Sequence, residues 1–251
     1  MRYSDNENRM TAVLRVLATF IAAQLGGILL WWMFGGLGEG FGFRLLMHII
    51  CTLLTNTVAF VLICGGVRLP KRRKEYSHFE PAAFFFSAVF IACAAAMLWK
   101  MIFVNENSES TSSYSGIQLI LYIGYTVILV PIAEEIAFRG AALSRLSAVF
   151  GMNSAALISA LFFAAYHMDI IVFAYTFVLG YFLAVLAQRS GSLVPCMVVH
   201  AANNLLTLAV GYSDSLSKVV NIALPVLGAA AIAWLIITNR VCRSTTDEDK
   251  L

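Results

Sequence analysis

A chain of 251 residues that is 60% hydrophobic and only 12% charged, with a mean hydropathy of +0.82, carries about half the charge of a soluble domain, where about 25% is usual. That excludes an ordinary soluble protein. A net charge of +3 is too small for a nucleic-acid-binding surface, so the expected surroundings are a lipid bilayer and not DNA or RNA.

A membrane-spanning helix needs about 20 mostly apolar residues. In chain order, apolar runs lie near 11–34, 45–67, 82–104, 117–138, 154–168, 170–188, 193–211 and 218–239. The first follows the polar start "MRYSDNENRM" and has no small-residue cleavage signal behind it, so it is read as a retained anchor and not a signal peptide. The fifth run is short and is expected to enter at a tilt or to pair with the sixth as a helical hairpin. The connections are brief: glycine-rich "GGLGEGFGF", strongly basic "RLPKRRKEYSHFEP" and acidic "NENSESTSSYSG". No internal repeat is evident. The expected fold is all-α, a polytopic membrane protein of about eight transmembrane helices. It divides into three N-terminal spans with their loops (1–116), a polar-residue-bearing core (117–211), and a last span with its tail (212–251). The cysteines Cys51, Cys64, Cys93, Cys196 and Cys242 lie in or beside apolar runs without a CxxC pair, so they read as small buried hydrophobes.

Lys and Arg set membrane orientation by favouring the cytoplasmic side. With both termini cytoplasmic, eight spans place 14 of the 17 basic residues inside and only Arg44, Lys100 and Lys218 outside. Cytoplasmic N and C termini are therefore expected. The cluster Lys71–Lys74 reads mainly as a topology signal, with a grip on anionic lipid as the lesser use.

Against this background the stretch "PIAEEIAFRG" is out of place. Glu134, Glu135 and Arg139 stand in the fourth apolar run, where a charged group costs about 2.5–3.5 kcal/mol on insertion scales. His167 ends the fifth run, and His200 and Asn204 lie inside the seventh. Residues four apart share a helix face. Glu135 therefore aligns with Arg139 in the favourable acid-first order, Phe163 aligns with His167, and His200 aligns with Asn204. Glu134, about 100° around the helix from Glu135, is left without that arginine and is free to face a different cavity. His200 lies about 11 Å from the start of its helix and Glu134 about 8 Å before Arg139, so the groups can share one depth in the inner half of the bilayer.

A lone intramembrane His or Asn often only bonds a neighbouring helix, and a Glu–Arg pair can be a structural bridge. The joint pattern points to a site. A carboxylate and an imidazole around one water form a general-base pair, and a second imidazole with an amide can donate to a developing oxyanion. A metal is the alternative: His167, His200 and a carboxylate such as Glu134 can hold zinc with an open position, although HExxH is absent. Serine and aspartyl-pair chemistries fit poorly. Non-enzymatic readings are a membrane scaffold or immunity protein and, less well, an ion-coupled transporter, for which the expected repeats are missing.

"EEIAFR", "FAAYH" and "HAANN" resemble, in order, the EExxxR, FxxxH and HxxxN motifs of the CPBP intramembrane proteases, also called the Abi or CAAX-protease family. The resemblance covers about 120–205. It implies an eight-helix membrane endopeptidase in which Glu134 and His167 activate water, His200 and Asn204 form the oxyanion site, and Glu135, Arg139 and Phe163 give support. The family has been described both as metal-dependent and as glutamate-type. The metal-free form is expected here, with zinc as the alternative, because Asn204 is a better oxyanion donor than ligand. The short chain without a visible endoplasmic-reticulum retention signal resembles the bacterial branch, associated with bacteriocin immunity, pheromone processing and cleavage of membrane proteins. The resemblance thus implies a membrane-associated protein or peptide substrate, not a prenylated one. It also implies a place in the bacterial plasma membrane with the site opening toward the cytoplasm.

Overall fold

The computed structural model describes residues 8–38, 40–68 and 116–212, together with Val226, and every regular element among the described residues is a helix. The expected spans at 82–104 and, apart from Val226, at 218–239, both chain termini and the basic run Lys71–Lys74 lie outside the described residues.

Helix α1 (Arg9–Phe34) begins where Asn8 accepts a hydrogen bond from the Thr11 N–H at 2.8 Å, satisfying one of the donors left open at a helix start. It ends in the glycine-rich turn Gly35–Leu37. Gly40 then adopts φ 104°, a left-handed conformation that glycine takes without strain. This lets α2 (residues 41–63) set off directly, first as Phe41–Ile49, then through a widened π-type stretch Ile50–Thr57 and on as Val58–Ile63.

Helix α3 (Ile117–Val149) is 33 residues long and holds two π-type stretches, Gly124–Leu129 and Ile136–Leu143. Pro131 follows the first of them. It has no N–H for the preceding turn and its ring crowds the carbonyl four residues back, so a wider turn ahead of it is the local answer. The second begins directly after Glu135 and contains Arg139 and Gly140. Such turns often mark functional positions.

Helices α4 (Met152–Tyr166) and α5 (Ile170–Ser190) run against each other along their length, which makes the short fifth run one arm of the expected helical hairpin. Small residues make the approach close: Ala155, Ala156, Ala160 and Ala164 are buried on one helix, and Ala184 and Ala187 on the other. Where lipid surrounds a bundle, small interfaces of this kind hold helices together by packing. Helix α6 (Val194–Tyr212) packs on α5 and α3, with the Cys196 thiol donating to the Leu183 carbonyl at 3.3 Å. Cys64 and Cys196 are free and buried, as small hydrophobes are.

Among the described residues, three helical stretches are long and apolar enough to cross a membrane: Arg9–Leu37, Ile117–Val149 and Val172–Ser190. The protein is an integral membrane protein. The end of α2 is fastened to the middle of α3: Arg68 N–H donates to the Gly140 carbonyl at 2.9 Å, Ser144 Oγ to the Arg68 carbonyl at 2.7 Å, and Arg145 to the Cys64 carbonyl. Gly140 suits this close approach, because a Cβ there would meet Val67 Cγ1 at 2.7 Å and one of the two side chains would have to shift.

Candidate active site

The site is built on α3 where one π-type stretch gives way to the next. Glu135 and Arg139, one helical turn apart, are both fully buried, with Oε1 and Nη1 separated by 3.0 Å. This is the pair expected from their spacing. The two atoms sit at ion-pair distance but are not aligned as a hydrogen bond. Arg139 is held from elsewhere as well. Its Nη2 donates to the Gly180 carbonyl of α5 at 3.3 Å, and its guanidinium lies 4.2 Å over the Phe163 ring.

Gly180 permits this. A Cβ there would meet Phe163 Cδ1 at 2.9 Å and the Ala160 Cα at 3.3 Å. Without one, the α5 backbone presses close to α4, and its carbonyl reaches the arginine. The sequence reading passed over Gly180; its signal is a lone glycine inside the apolar run "FVLGYF".

His200, on α6, reaches across to both glutamates. Its Nδ1 lies 3.0 Å from Glu135 Oε1, where the ring N–H donates and the carboxylate accepts. Its Nε2 faces Glu134 Oε2 at 3.8 Å, beyond direct hydrogen-bonding range. His200 is thus seated between the two acids, with Glu135 fixing its orientation. Glu134 is itself buried, and its Oε2 has no hydrogen-bond partner among the described residues. Four groups able to carry charge, Glu134, Glu135, Arg139 and His200, therefore lie together, and a buried cluster of this kind is tolerable only when opposite charges face one another.

Phe163 joins the remaining parts. Its ring packs edge-on against His167 with centroids 5.0 Å apart and against His200 at 5.7 Å. The Phe163–His167 contact is the one their spacing suggested. His167 closes the end of α4, where Nδ1 is bonded to the Phe163 carbonyl at 2.9 Å, leaving Nε2 as the nitrogen directed elsewhere. Asn204 stands one turn beyond His200. Its Nδ2 donates to the Thr126 carbonyl at 2.9 Å, and its Oδ1 accepts from Asn203 at 3.4 Å. That Thr126 carbonyl lies in the π-type stretch Gly124–Leu129, where the wider turn leaves backbone groups for outside partners.

Zinc at this site would need His167, His200 and Glu134 to converge as ligands. Among the described residues no group of three or more His, Cys, Asp or Glu side chains that could hold a metal ion comes together.

With this geometry in view, comparison with known proteins is informative. Residues 116–206 match the family model described as Rce1-like, type II CAAX prenyl endopeptidase. Over this segment the chain is similar to the Rce1-like family. It holds all seven residues singled out by the motifs: Glu134, Glu135, Arg139, Phe163, His167, His200 and Asn204. No curated protein and no solved structure matches the chain.

Proposed function

We propose that this protein is an intramembrane endopeptidase that hydrolyses a peptide bond of a membrane-associated protein or peptide. The catalytic unit is 117–211, the setting a bacterial plasma membrane, and the opening of the site is toward the cytoplasm. The observation that supports the reading best is the contrast between two adjacent acids. Glu135 Oε1 lies 3.0 Å from Arg139 Nη1 and 3.0 Å from His200 Nδ1, whereas Glu134 has neither contact and faces His200 Nε2 at 3.8 Å; each acid keeps its Oε2 buried without a hydrogen-bond partner among the described residues.

In this reading Glu134, assisted by His167, takes a proton from a water as the water oxygen bonds to the scissile carbonyl carbon. The carbonyl oxygen gains the negative charge and accepts hydrogen bonds from His200 Nε2 and Asn204 Nδ2. His200 serves as such a donor with protons on both ring nitrogens, and Glu135 holds the Nδ1–H while Arg139 steadies Glu135. When the carbon–nitrogen bond breaks, the abstracted proton passes to the departing amine. Asn204 reaches the oxyanion by turning one of its two N–H groups from Thr126 or by using the other. No step needs a metal.

The test is cleavage of a library of bilayer-tethered peptides, prenylated and unmodified, with and without chelator. The wild type cleaves unmodified members of the library in both conditions. Glu134→Gln folds but loses about 10²–10⁴ in rate, the usual contribution of a general base. Wild-type turnover by Glu134→Gln would remove the assignment. Activity that is lost on chelation and restored by zinc would make the histidines ligands instead.

A further inference from the structure

A cavity of about 520 Å³ lies apart from the site, between the start of α2 and the start of α3. We propose that it holds the phosphate headgroup of an anionic phospholipid. The inference does not depend on the protease reading.

Its chemistry is amphiphilic. Arg44 and His48 line one wall, four residues apart on one face of α2, and Phe41 and Leu45 add apolar surface to that wall. Tyr122 and Tyr125 line the other wall from α3. No acid is among the described lining residues; Glu39, the acid nearest in sequence, lies outside the described residues. A guanidinium can bind a phosphate through two parallel N–H bonds. Gly40 gives the first turn of α2 no side-chain cap, and that turn carries no acidic residue, so its N–H groups add to the attraction for an anion. The volume falls in the usual range for small-ligand sites, about 300–1,000 Å³.

The surroundings favour a lipid over a soluble anion. The cavity sits where the chain turns through Gly35–Gly40 between two apolar helices, the depth at which Trp and Tyr gather at a membrane surface. Trp31 of α1 packs on the His48 ring with centroids 5.2 Å apart. Around it Trp32, Leu46, Ile117, Ile120 and Leu121 are all exposed, an apolar surface for acyl chains beside a cationic pocket for the head. A lipid there would bridge α2 to α3 at the start of the π-type stretch Gly124–Leu129, which contains Tyr125 and whose Thr126 carbonyl accepts from Asn204.

The experiment compares full-length protein in nanodiscs or mixed micelles of phosphatidylcholine with and without phosphatidylglycerol, reading lipid occupancy by native mass spectrometry and melting temperature. Wild type is expected to take up phosphatidylglycerol saturably and in preference to phosphatidylcholine, with a rise in melting temperature. Arg44→Gln should weaken that preference about tenfold or more, as loss of a charged hydrogen bond implies. Leu45→Trp keeps the charge but fills the cavity, and should also abolish the preference. The proposal is overturned if wild type shows no preference for the anionic lipid, or if both variants keep it. It is equally overturned if the preference disappears only on neutralising Lys71–Lys74, or if soluble glycerol 3-phosphate binds as well as the lipid does.

Discussion

Helix α1 buries few residues and turns large apolar ones outward, whereas α3 buries an unbroken stretch around its ionisable groups. On α1, Leu25, Ile28, Leu29 and Trp32 are exposed, and its buried positions are Ala12, Val16, Thr19 and Ala23. On α3 the stretch from Ala137 to Leu143 is buried throughout, with Arg139 in the middle of it and Glu134 and Glu135 just before. Lipid satisfies the first kind of surface without any contribution from protein packing, because acyl chains are as apolar as leucine. The second kind has to bring backbones close enough for carbonyls and side chains to serve the ionisable groups. The charges stand where alanines and glycines let them be partnered, and the comparison predicts that damage concentrates there.

The largest stability effect should come from Arg139→Ala. It strips the fully buried Glu135 of its cation, and breaking a buried pair from one side typically costs about 3–5 kcal/mol. The double change Glu135→Gln with Arg139→Gln should cost less than the single one, since no unpaired charge remains. Thermal melts in detergent check this. Simple addition of the two single effects would mean that the 3.0 Å approach carries no coupling.

Asn204→Ala tests the active site more than the fold. Loss of one oxyanion donor typically lowers turnover about 10²–10³-fold, and the loss should fall on kcat with KM little changed, because the bond matters mainly in the transition state. The Thr126 carbonyl loses a donor too, so a modest drop in melting temperature should accompany it. A rise in KM with unchanged kcat would make Asn204 a substrate-binding or structural residue instead.

How much of this was legible beforehand follows from what helical spacing can encode. The Glu135–Arg139 and Phe163–His167 contacts lie within single helices, and a four-residue interval states them directly. The Glu135–His200, Arg139–Gly180 and Asn204–Thr126 contacts join different helices. Periodicity assigns faces but not which faces meet, so none of the three could be read from spacing. The fourth apolar run reads as ending near 138, just before Arg139. The helix continues to Val149, with Arg139 and Arg145 engaged inside the protein by a carboxylate and by backbone carbonyls. The cavity at Arg44 left no sequence signal, since Arg44 was counted only as one of the few basic residues outside.

A smaller effect should follow Gly180→Ala. The added methyl meets Phe163 Cδ1 at 2.9 Å and a backbone atom of Ala160 at 3.3 Å. The ring can give, but the backbone gives less readily, and overpacking of this kind costs about 1–3 kcal/mol. Phe163 also carries Arg139 on its face and both histidines on its edges, so activity should fall more than the melt implies. An unchanged melting temperature and unchanged cleavage would show that α4 and α5 can separate slightly without disturbing the site.

The smallest effect should come from α1. Leu25 is 60% exposed, and in the bilayer that exposure is to acyl chains. A soluble protein would lose apolar burial on truncating a core leucine, at about 2–5 kcal/mol. Here Leu25→Ala removes a side chain that stands in hydrocarbon whether or not α1 is packed against its neighbours. The transfer term nearly cancels, leaving little more than the effect of a surface substitution, about 0.5 kcal/mol or less. Ala23, two residues earlier and 1% exposed, faces the other way, and Ala23→Leu should cost about 1–3 kcal/mol by overpacking the helix interface. Melting temperatures of the two variants in lipid nanodiscs separate these cases. A large loss for Leu25→Ala would mean that protein, not lipid, covers this face of α1, and the contrast between outward-facing and inward-facing helices would then no longer hold at this helix.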